Sequence, residues 1–276
     1  MHAPTPTEPP VALSIAGSDS GGGAGIQADL QTMAAHGVYG TTAITAVTAQ
    51  NTQGVEDSHV LPVEIVEAQY DAVTSDFDLG AIKTGMLATT PIVEAVAARV
   101  ADVEIPAVVD PVMVATSGDR LLTEDAEAAY EDLIAAATLV TPNADEAYVL
   151  TGVEVEDVES AVAAGDAIVE MGAQAALVKG GHVAGDPVQD VLVTPEQTHV
   201  FEHERVDTEA THGSGCALSS AIAALLARGE PLAAAVEDGT DFLERAVRHH
   251  YDVGQGPGAV NHLVDLRVRT DGDAAE

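Results

Sequence analysis

Short apolar, β-branched runs recur along the chain, and each is followed by a stretch whose apolar positions have helical spacing. In order they are VALSIAG with GIQADLQTMAAHG, TTAITAVTAQ with VEIVEAQYDAVTS, GAIKTG with TPIVEAVAARVADV, and PAVVDPVM with TEDAEAAYEDLIAAA. TLVTPN then leads into ADEAYVLTG and VESAVAAGDAIVEMG, and AALVKGG closes the series. Continuous apolar runs suit strands buried on both faces, so the alternation predicts βα units around a buried, mainly parallel sheet of an α/β protein. After Lys179 the rhythm changes. DVLVTPEQTHVFEHERV predicts a two-stranded hairpin turning near Pro195 to Gln197. Two helices are expected to finish the chain, one beginning after Cys216 and one from about Leu232 to His250. Loops at the carboxyl ends of strands carry the site in such folds, and Gly17-Ser18-Asp19, Lys83, Asp110, Asn143 and Lys179 all fall there.

Composition narrows the class. With 276 residues and 46% hydrophobic content the chain has ample material for a buried core. Residues 11–266 read as a single domain, flanked by a Pro-rich flexible tail (1–10, MHAPTPTEPP) and an acidic tail (267–276). Ten Lys and Arg against 45 Asp and Glu give a formal charge of −35, which argues against nucleic acid or an anionic membrane as a partner. Acids scattered along a chain rich in Ala and Val suggest a surface adapted to high salt, that is, a halophilic protein. A single cysteine excludes an internal disulfide framework, and no run resembles a signal peptide or spanning helix, so a cytoplasmic protein is expected.

Within that frame, Thr211-His212-Gly213-Ser214-Gly215-Cys216 is the most informative segment, because it runs straight into the apolar ALSSAIAALLA. Two glycines let the backbone turn its N–H groups into one concavity, and the following helix adds unpaired donors and its positive dipole end. That is an anion site, and a thiol there is expected to have its thiolate favoured; the alternative is a small buried hydrophobe. The chain has only two lysines, Lys83 in AIKTGM and Lys179 in ALVKGGH, each after an apolar run. Each is a candidate ligand group, the alternative being a helix cap or a carboxylate partner. No G-x-x-x-x-G-K-[ST] is present, which excludes a P-loop enzyme, and GSDSGGGAGIQADL fails G-x-G-x-x-G at Ile26, which argues strongly against dinucleotide binding. Gly21 to Gly25 still permit close approach of a ligand to backbone, unless they form only a flexible connection.

The strings AGSDSGGGAGIQADL, ITAVTAQNTQGV, IKTGML, VVDPVMVATSGD, TPNADEA, VKGGH and THGSGCALSSAIAA, in that order, resemble the hydroxymethylpyrimidine and phosphomethylpyrimidine kinases of thiamine biosynthesis. The resemblance spans about residues 11 to 262 and implies a ribokinase-like, three-layer α/β/α kinase domain around a central, mainly parallel sheet. Where that family usually has Asp-Pro-Ser-Gly-Gly, this chain has Asp19-Ser20-Gly21-Gly22-Gly23. The implied reaction is ATP- and Mg²⁺-dependent phosphorylation of 4-amino-5-hydroxymethyl-2-methylpyrimidine and of its monophosphate.

The resemblance also implies roles. Gly213, Ser214, Gly215 and Cys216 would form the anion hole, with the Cys216 thiolate taking the proton of the attacking hydroxyl. Lys179, Asn143 and Thr211 would serve the nucleotide, and Glu146, with Asp110, would position Mg²⁺ largely through water, although Asp110 equally suits a turn cap. Gln50 would read the pyrimidine edge, Met86 would pack on the ring or simply fill core, and Gly17 and Asp19 would lie near the hydroxymethyl or phosphate end. A homodimer is implied. The rival readings are a pyridoxine or pyridoxal kinase, which Gln50 disfavours, and a non-catalytic ligand-binding regulator, which has no need of a proton acceptor.

Overall fold

The computed structural model describes residues 5–113, 124–183 and 185–266. The chain runs β1 (Val11–Asp19), α1 (Gly25–Ala35), β2 (Tyr39–Asn51), β3 (Gly54–Val60), α2 (Val63–Thr74), β4 (Leu79–Thr84), α3 (Thr90–Ala101) and β5 (Ala107–Val109). It continues through α4 (Glu124–Ala135), β6 (Leu139–Val140), α5 (Ala144–Thr151), α6 (Val158–Glu170) and β7 (Ala176–Val178). The last elements are β8 (Val188–Val193), β9 (Thr198–His203), α7 (Ser214–Ala227) and α8 (Leu232–Arg248).

Among the described residues, nine strands form one sheet in the order β3-β2-β1-β4-β5-β6-β7-β8-β9. The central strands pair in parallel, and β3, β8 and β9 are antiparallel additions at the two edges. Alternate residues of one strand serve opposite helical layers. Ile82, Val109 and Val140 pack with α2, α3, α4 and α6, whereas their neighbours Ala81, Val108 and Leu139 pack with α7 and α8. The two-residue side-chain period of a strand thus produces three layers from runs that look uniformly apolar. Strand order reverses at β1, between β2 and β4, so the crevice at the carboxyl end of β1 is the switch point of the sheet.

Three sequence expectations change. The stretch between TTAITAVTAQ and the next helix contains β3, GVEDSHV, most of which is exposed. Without a buried face it carries no apolar signal, and only its pairing with β2 makes it a strand. The helix expected after Cys216 begins at Ser214, placing the thiol in its first turn. The final helix ends at Arg248. The hairpin at residues 188–203 is present, with β8 also joined to β7. The acidic tail, residues 1–4 of the first tail, and residues 114–123, which include all of VATSGD, lie outside the described residues.

Candidate active site

A buried carboxylate builds the loop after β1. The oxygens of Asp19 accept from the N–H groups of Gly21 (2.7 Å), Gly23 (3.0 Å) and Ala24 (2.8 Å), and His212 Nε2 lies 3.3 Å away. Burial raises the Asp19 pKa, but the His212 contact and the N–H donors outweigh it and hold the carboxyl below its ordinary value. Asp19 therefore shapes the glycine loop, with its oxygens already engaged. Gly25 opens α1 with φ 57°, and a Cβ there would strike the carbonyl oxygen of Gly17. Gly213 has φ 79°, and a Cβ there would strike the carbonyl oxygen of Gly23. Two glycine segments far apart in sequence thus form one surface.

Gly213 is also the N-cap of α7. The Ser214 N–H returns to the Thr211 carbonyl, while the N–H groups of Gly215 and Cys216 have no earlier helical carbonyl to reach. Thr211 is exposed. Cys216 is partly buried, and the Gly25 N–H faces it and favours its anion. The thiol consequently meets the N-termini of two helices, α1 and α7. Burial nevertheless pushes its pKa up to about 11, with Lys83 and the Gly25 N–H pulling down and Asp29 and Asp110 pushing up. The expected low-pKa thiolate is not what this environment makes, because desolvation outweighs the helix ends.

Beside this turn lies a charged trio. Lys179 Nζ is 3.2 Å from Asp110 Oδ1 and 3.8 Å from Glu146 Oε2. A Cβ on Gly215 would sit 3.4 Å from Lys179 Nζ and 3.5 Å from Asp110 Oδ2, so the bare glycine brings the helix N-terminus against the trio. Burial disfavours the Lys179 ammonium, but Asp110 and Glu146 overcome that and raise its pKa. Asn143 and Glu146 form a capping box on α5: Asn143 Oδ1 accepts from the Glu146 N–H, and Glu146 Oε2 from the Asn143 N–H. Burial pushes Glu146 up to about 7 despite Lys179, and Asp110 adds to the rise. Two buried carboxylates sharing one lysine fit a divalent cation. Among the described residues no group of three or more His, Cys, Asp or Glu is placed to hold a metal.

At the other end of the crevice, Met86 Cε lies 2.5 Å from where a Cβ on Gly17 would be, so Gly17 makes room for the thioether. Met86 is partly buried, and its carbonyl accepts from Thr45 Oγ1 at 2.6 Å. Gln50 is partly buried in β2, with Oε1 3.1 Å from Thr48 Oγ1 and Nε2 3.4 Å from His212 Nε2. The structure therefore groups Gly17 with Met86, Gln50 with Asp19 through His212, and Lys179 with Asp110, Glu146 and Gly215. Sequence reasoning passed over three residues here. His212 sat inside a quoted motif, and Asp29, within the helical stretch GIQADLQTMAAHG, is fully buried. His262 carried no pattern at all, yet it is 1% exposed with Nε2 unpartnered, 3.2 Å from a Cβ position on Gly213. Burial pushes its pKa down to about 4.

Residues 19–261 match the phosphomethylpyrimidine kinase family. A hydroxymethylpyrimidine/phosphomethylpyrimidine kinase of Streptomyces coelicolor is 47% identical over 95% of this chain and 98% of that protein. A phosphomethylpyrimidine kinase structure from Clostridium difficile is 38% identical, with a TM-score of 0.77 over 86% of this chain and 99% of that one. An ADP complex of Bacillus subtilis pyridoxal kinase is 34% identical, with a TM-score of 0.87 over 94% of this chain and 100% of that one. With matches of this extent, the chain belongs to the phosphomethylpyrimidine kinase family, within the ribokinase-like α/β/α kinases.

Proposed function

We propose that this chain is a hydroxymethylpyrimidine/phosphomethylpyrimidine kinase that phosphorylates 4-amino-5-hydroxymethyl-2-methylpyrimidine and then its monophosphate, supplying the diphosphate used in thiamine biosynthesis. The observation that carries the reading is the meeting of the glycine loop, the N-terminus of α7 and the Lys179 trio around Cys216. ATP is the phosphoryl donor. Cys216, in its thiolate form, takes the proton from the hydroxymethyl O–H as that oxygen bonds to the γ-phosphorus and the bridging P–O bond to ADP breaks. The first-turn N–H groups of α7 stabilise charge on the transferring phosphoryl oxygens, and Lys179 meets the nucleotide phosphates. Asn143 and Thr211 belong to the nucleotide side. Glu146 and Asp110 would hold Mg²⁺, which neutralises phosphate charge when bound.

For the organic substrate, the Gln50 amide offers an acceptor and a donor to the aminopyrimidine edge, and Met86 over Gly17 offers an apolar wall. The same reading takes the chain as a cytoplasmic homodimer; the dimer rests on family resemblance alone. Among the described residues, no helix is long and apolar enough to cross a membrane. The test is a product assay by mass spectrometry in high KCl with ATP and Mg²⁺, offering hydroxymethylpyrimidine, its monophosphate and pyridoxal in parallel. Diphosphate from both pyrimidines is expected. Pyridoxal phosphate as the main product would transfer the assignment to the pyridoxal kinases of the same fold, and no product at all would indicate a ligand-binding regulator.

A further inference from the structure

Beneath the site lies a polar cluster that the transfer reaction does not use. Lys83 Nζ donates to Asp29 Oδ1 at 2.8 Å and to Oδ2 at 3.0 Å. Ser14 Oγ donates to Oδ2 at 2.5 Å, and Ser220 Oγ to Oδ1 at 2.7 Å. All four residues are fully buried, and they come from β1, α1, β4 and α7. A Cβ on Gly85 would lie 2.9 Å from Lys83 Nζ, so a residue without a side chain keeps room for the ammonium. An ion pair in such surroundings is often less stabilising than well-packed apolar residues of the same volume, so stability alone is a poor reason for it.

Its position supplies a better one. The N–H of Gly25, the first residue of α1, faces Cys216 in the first turn of α7 and favours its anion. One turn further along both helices, Asp29 of α1 meets Ser220 of α7. The two levels form one ladder, and Lys83 is bonded at the second, about 6 Å of helix rise below the first.

We propose that Lys83, held by Asp29, is a positioning residue for Cys216: it locks α1 to α7 and supplies the buried cation that steadies the thiolate when the proton leaves. The charged groups facing the thiol are Lys83 from β4, Asp29 from α1, Asp110 after β5 and Lys179 after β7. Lys83 is the foremost of them and favours the anion, whereas both carboxylates oppose it. This inference rests on the reading of Cys216 as proton acceptor. Its test measures the thiol itself, so failure here and failure of that reading are distinguishable.

Cys216 is the chain's only cysteine, so alkylation by iodoacetamide reads it directly. The full chain, Lys83→Met and Lys83→Met/Asp29→Asn are compared at fixed pH between 8 and 9, with unfolding curves to establish that each is folded. Because alkylation follows the thiolate fraction, Lys83→Met should react about tenfold more slowly than wild type. Removing Asp29 as well takes away an opposing anion, so the double variant should recover part of that rate. If the single variant fails to fold, the neutral double variant carries the test and should be slower than wild type. A merely structural role predicts the reverse, since loosening the site exposes the thiol. Alkylation of Lys83→Met at or above the wild-type rate, or a double variant slower than a folded single one, overturns the proposal. Where only the double variant folds, a wild-type rate there overturns it.

Discussion

Cys216 stands between opposing fields. Two helix N-termini and Lys83 favour its anion, while burial and two carboxylates favour the thiol, and the balance leaves its pKa near 11. A group whose pKa is raised in this way gains its reactive form as pH rises. If the free thiolate is the proton acceptor, kcat/KM should climb by about tenfold per unit from pH 7 to 9, as a single ionisation well below its pKa requires. A plateau already reached at pH 7 would show that another group takes the proton. Cys216→Ala should bind nucleotide and pyrimidine normally in calorimetry while losing at least about a hundredfold in turnover; unchanged turnover would remove Cys216 from the chemistry.

Among the elements, α5 shows how one pair of residues answers to two demands. Asn143 and Glu146 cap the helix reciprocally, and the same Glu146 carboxylate reaches toward Lys179. Asn143→Ala should cost about 1 kcal/mol in urea unfolding by losing the cap, and should lower turnover as well. Asn143→Ser retains a cap acceptor and should restore stability without restoring turnover; full recovery of both would make Asn143 a cap and nothing more. Elements with a two-sided apolar run, such as β1 and β4, were legible because their burial is written in every residue. The mostly exposed β3 was not, because pairing with β2 alone defines it.

For the whole molecule the dominant fact is the charge of −35. Among the described residues, Arg99, Arg228, Arg245 and Arg248 each pair with carboxylates, and Arg205 is engaged by backbone carbonyls. The remaining acids repel one another, and molar salt shortens their reach to about 3 Å. The thermal midpoint should therefore rise between dilute buffer and molar KCl. A flat or falling midpoint would show that the acidic surface is not an adaptation to salt.

The sequence by itself determined the βα alternation, the parallel centre of the sheet and the strand ends that carry Asp110, Asn143 and Lys179, because side-chain period and turn residues are local properties. It also marked the glycine segments around Asp19 and Cys216, since positive φ and close backbone approach leave a local signature. Only the tertiary structure decided that these two segments touch, that Lys83 pairs with Asp29 and that His262 lies against Gly213. It also reversed the expected acidity of Cys216. Desolvation and long-range pairing depend on what surrounds a group in space, and no spacing along the chain records that.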